Sequence, residues 1–81
     1  MIDSDQTVRF TAWHPGLVAV RLIEAIREHT DLGLAQSKGV TDRLLDGENP
    51  TVIVPTTEAA RALVAEAALL RADAVIEDSP G

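Results

Sequence analysis

The chain has 81 residues, 46% of them hydrophobic, and a formal charge of −6 from 13 acidic against 7 basic side chains. A chain this short holds a single core, and an acidic surface with Lys38 as its only lysine repels phosphate backbones and anionic membranes. Without cysteine there is no disulfide framework, thiol nucleophile or thiolate metal site.

One Trp, one Phe and no Tyr leave the core to Ala, Val, Leu and Ile, and leave little for stacking on bases. No run approaches the roughly 18 apolar residues of a membrane span. The first ten residues lack the basic start and apolar stretch of a signal peptide. The expectation is a soluble cytoplasmic protein that binds neither nucleic acid nor membrane.

Residues 1–6 and 78–81 are polar and are expected to be flexible, so that a single domain spans 7–77. From Thr7 to Trp13 the segment TVRFTAW alternates, with Val8, Phe10 and Ala12 facing inward and Thr7, Arg9, Thr11 and Trp13 outward. His14-Pro15-Gly16 ends this strand.

From Leu17 to His29 the apolar residues Val18, Leu22 and Ile26, joined by Ala19, Ile23 and Ala25, recur at three- and four-residue steps and predict an amphipathic helix. A weaker helix follows over Leu34 to Leu45, with Ser37, Val40 and Leu44 inward. Gly39 costs it about 1 kcal/mol relative to Ala, and Gly47 is placed to stop it. The glycine between leucines in Leu32-Gly33-Leu34 predicts a sharp turn in which a Cβ at position 33 would clash. Leu32 is then inward and Leu34 near the surface.

Pro50 and Pro55 bracket TVIV, a short β-branched strand suited to a sheet edge. Pro55-Thr56-Thr57-Glu58 supplies a cap and an early acid for a third helix, whose apolar face is Ala60, Leu63, Val64, Ala67 and Leu70. DAVIE closes the chain as a strand. The fold class expected is α+β, a β-α-α-β-α-β two-layer sandwich with three helices on one face of a three-stranded sheet.

Ala25-Ile26-Arg27 followed by Thr30-Asp31-Leu32-Gly33-Leu34-Ala35-Gln36-Ser37-Lys38 resembles the helix end, turn and second helix of the C-terminal domain of the bacterial ribosomal stalk protein. The register runs without a gap from Val8 to about Glu77. The resemblance implies that domain's fold and a non-enzymatic role in protein–protein contact. It also implies a contact face around Gly33 and Leu34, with a translation GTPase or the ribosome as partner.

The family's factor-binding face is lined with lysines, which complement acidic patches. At the matching positions this chain has Trp13, Ala19, Glu24 and Ala35; only Lys38 keeps its charge, Arg27 matches the family's arginine, and Gln36 stands where an acid is usual. Such a surface implies an altered partner. The chain reads as a free-standing relative without the family's N-terminal dimerisation segment.

An exposed indole is a natural interface anchor, which adds Trp13 to the candidate contact residues, with Leu17 and Ala19 beside it. The alternative is a small regulatory protein that self-associates, Trp13 and the open sheet face burying each other in a homodimer. The expected state is thus monomer or homodimer.

No serine or threonine is flanked by a recognisable base, there is no phosphate loop, and Glu24 and Glu28 fall on the solvent side of their helix. His29 lies between Glu28 and Asp31 at a helix end, where a cation suits the dipole. No catalytic residue, metal ligand or cofactor is expected.

Overall fold

The computed structural model describes residues 5–77. The expected tail, 78–81, and residues 1–4 lie outside that range, while Gln6 already belongs to the first strand. Six elements follow in chain order: β1 (Gln6–Trp13), α1 (Ala19–His29), α2 (Leu34–Leu45), β2 (Thr51–Val54), α3 (Thr57–Leu69) and β3 (Ala72–Glu77). This is an α+β fold whose three strands form an antiparallel sheet in the order β2-β1-β3.

Alternation along the strands sorts the side chains. Val8, Phe10, Val52, Val54 and Ala72 are buried and join Leu22, Ala25, Ile26, Leu44, Ala60, Leu63 and Ala67 of the helices in one core. Thr51, Ile53, Asp73 and Val75 on the alternate positions are exposed. Arg9 Nε lies 3.0 Å from Glu77 Oε2 across this open side, an ion pair without the direction of a good hydrogen bond.

The alternation expected for β1 fails near its end. Phe10 stands opposite Ala74 but Ala12 opposite Asp73, so Thr11 is an extra residue in β1 and forms a β-bulge. The bulge inverts the parity beyond it. Ala12 pairs with exposed Asp73 instead of facing inward, and Trp13 pairs with fully buried Ala72 instead of standing outward with Arg9. Trp13 sits where the sheet ends and keeps 42% of its surface exposed.

α1 begins at Ala19, two residues later than expected, with Val18 as an extended N-cap lacking a side-chain hydrogen bond. Val18 is consequently exposed and does not belong to the inward face. α2 buries Ser37, Thr41 and Leu44. Thr41 Oγ1 donates back to Ser37 O at 3.0 Å, whereas Ser37 Oγ has no partner among the described residues. An unsatisfied buried hydroxyl of this kind costs about 1–3 kcal/mol.

Gly47, at φ 89°, ends α2 in a Schellman motif: its N–H donates to Leu44 O and the Glu48 N–H to Arg43 O, both at 3.0 Å. α3 starts from Thr56, whose Oγ1 accepts from Ala59 N–H at 3.0 Å. It ends at Leu69 with Leu70 as C-cap, and the next residue, Arg71, takes the left-handed φ of 75° and presents its carbonyl to His14 N–H at 2.9 Å.

Candidate functional site

The connection between α1 and α2 is built by Thr30. Its Oγ1 donates to Ile26 O at 2.6 Å and accepts from Leu32 N–H at 3.1 Å, with the residue itself buried. This ties the turn to the last carbonyls of α1 and aims Leu32 at the core, against which it packs. Thr30 did not stand out in the sequence as an organiser of the turn; a Thr immediately after an amphipathic helix is the signal that could have found it.

Gly33 acts differently from the sharp, sterically forced turn expected of it. Its φ and ψ are −80° and −179°, extended backbone open to any residue, and no atom lies within 4 Å of where a Cβ would be. Gly33 is the N-cap of α2. Its N–H donates to Gln36 Oε1 at 3.4 Å, half of a capping box. With Leu32 turned inward, Leu34 opens α2 with 57% of its surface exposed.

The candidate contact residues fall into two groups. Trp13, Leu17 and Ala19 gather where β1 passes into α1; Gly33, Leu34, Gln36 and Lys38 gather at the other end of α1, beyond Arg27 in its last turn. An eleven-residue helix separates the groups by about 16 Å. Leu17 packs partly against the core and Ala19 is half-buried, so the first group offers mainly Trp13. Arg27, Gln36 and Lys38, like Leu34, are exposed in the second.

Between α2 and β2 lies a groove of about 370 Å³. Gln36, Gly39, Val40 and Arg43 line it from α2, and Thr51 to Ile53 from β2, with Leu32 of the turn. Gly39 has no atom within 4 Å of the position of an added Cβ. Arg43 is the only charged side chain in the lining. This groove was missed in the sequence, where Gly39 registers only as a weakness in the helix.

The two imidazoles each meet a carboxylate. His14 Nε2 lies 2.9 Å from Asp73 Oδ2 at the exposed end of the sheet. His29 Nε2 lies 2.7 Å from Glu66 Oε2 and clasps α1 to α3, a partner that local sequence did not suggest. Glu28, His29 and Glu66 could bring three metal-ligand atoms within 4.8 Å of one another, the only such grouping found among the described residues. None of the described helices is long and apolar enough to cross a membrane.

Comparison of the chain with protein-family models, with curated proteins and with solved structures finds no match.

Proposed function

We propose that this chain is a non-enzymatic protein-interaction module resembling the factor-binding domain of the ribosomal stalk protein, working on an altered partner. The observation that carries the reading is Leu34. An apolar side chain with 57% of its surface exposed opens α2 directly after the turn of the Thr30–Lys38 motif. Exposed apolar groups among polar ones suit protein contact; Gln36 and Lys38 follow Leu34 in α2, and Arg27 is exposed in the last turn of α1. The β-α-α-β-α-β order and the motif's position across the end of α1, the turn and the start of α2 support the stalk-type reading.

The missing lysines support an altered partner. Glu24 is exposed at one of those positions, so steering toward an acidic surface is weakened. Self-association through Trp13 and the open sheet face has less support. Register puts Trp13 on the side of Ala72, and the Arg9–Glu77 pair crosses the open face.

The test is affinity capture from native extract with the wild-type chain, Leu34→Ala and Trp13→Ala, each first checked for an unchanged melting curve. A specific protein lost in Leu34→Ala and kept in Trp13→Ala is the expected result. Identical capture by all three would rule out the Leu34 face. Translation GTPases or ribosomes in the Leu34-dependent set would show the partner to be unaltered.

A further inference from the structure

β2 is an edge strand, and its hydrogen-bond phase can be read from one contact. Phe10 N–H donates to Pro50 O at 3.0 Å, so residues 10 and 50 are a bonded pair. Antiparallel pairing alternates, and with Val8 opposite Val52 and Gln6 opposite Val54, those are the next bonded pairs. The N–H and C=O groups of Thr51 and Ile53 therefore point away from β1, toward the unpaired edge.

Natural edges are blunted by shortness, by charge, by proline within the strand, or by a covering element, and β2 is short, at four residues. Pro50 and Pro55 flank this strand, but Thr51–Val54 itself carries no charge and no proline, and the groove stands between it and α2. The α2 wall is notched at Gly39, apolar at Val40 and cationic at Arg43. Among the described residues Arg43 has no ion-pair or hydrogen-bond partner for its guanidinium, and no carboxylate lines the groove.

We propose that this groove is a β-augmentation site for an extended segment of a partner protein carrying an Asp or Glu side chain. The segment's backbone extends the sheet at Thr51 and Ile53, and its carboxylate takes the Arg43 guanidinium in a charge-assisted pair. One helical turn, about 6 Å, separates Gly39 from Arg43. Alternate residues of an extended chain are about 7 Å apart. The matching ligand thus has an apolar β-branched residue at the Gly39 notch and an acid two positions away. A second copy of this chain is a poorer occupant, because its own edge strand, Thr51–Val54, has no acid for Arg43. Gln36 is common to this lining and to the candidate contact residues at the start of α2, but the β2 edge, Gly39 and Arg43 are not, so the site does not need the Leu34 side chain.

The experiment selects peptides from a displayed library of random short sequences on the full chain, then titrates the enriched peptides into isotope-labelled protein by NMR. The expected sequences carry an acid two residues from a β-branched apolar residue and shift the amide signals of Gly39, Thr51 and Ile53. Arg43→Gln is expected to weaken binding about tenfold or more, Gly39→Leu to block it, and Leu34→Ala to leave it unchanged. Arg43 is exposed, so its variant carries the test if Gly39→Leu fails to fold. The proposal is overturned by an absence of enrichment, by amide shifts elsewhere, by equal affinity in Arg43→Gln, or by light scattering that shows β2 edges already paired in a dimer.

Discussion

The hydroxyl of Thr30 closes α1 onto the turn by donating to Ile26 O and accepting from Leu32 N–H. With that work done by a side chain, the next residues need no special backbone, and Gly33 rests in an extended conformation with space around it. Gly16 is the opposite case, held at φ 102° beside the Arg71 side chain. We therefore expect Gly33→Ala to change stability by less than about 0.5 kcal/mol, reduced chain freedom in the unfolded state offsetting a poorer N-cap. Gly16→Ala should cost about 1–2 kcal/mol, because a Cβ disfavours the left-handed region. Thermal melts of the two variants check this, at about 4–8 °C per kcal/mol for a domain of this size. Equal losses would refute it.

At the scale of elements, α2 is stabilised less by its own sequence than by what holds its ends. Gln36 caps its start, Gly47 closes its end, and Ser37, Thr41 and Leu44 are buried along one face. Gly39 sits mid-helix with open space where a side chain would be. Gly39→Ala should therefore raise stability by about 0.5–1 kcal/mol; urea unfolding measures it, and a loss would mean the notch is less open than it is here.

The elements themselves were legible, because apolar residues recur at period two in TVRF and near 3.6 in the helices, and TVIV is β-branched between two prolines. The Thr11 bulge was not, since an extra residue in a strand has no composition of its own and is defined by its partner on β3. Of the candidate site, Leu34 was legible as a surface residue from the inward assignment of Leu32. The groove was not, because it is the space left between α2 and β2 by how they pack, and neither segment alone carries a pattern for it.

For the whole molecule, charge is the dominant unbalanced quantity. The formal charge is −6 with the imidazoles neutral, which leaves Arg9–Glu77, itself partly exposed, as the ion pair among the described residues, beside the His14–Asp73 and His29–Glu66 contacts. Exposed pairs contribute about 0–1 kcal/mol each, while like-charge repulsion acts across the surface. Adding salt should screen more repulsion than attraction. The melting temperature is accordingly expected to rise as sodium chloride goes from low to moderate concentration; a fall would mean that the pairs outweigh the excess acid.

The extra residue in β1 also bears on how such a surface can change over time. Trp13 lies with Ala72 and not with Arg9 only because Thr11 interrupts the alternation. A one-codon insertion or deletion in the strand therefore exchanges the face on which the indole stands, without altering a core residue or the indole itself. A scaffold with that property can move its largest side chain from one potential partner to another in a single genetic step.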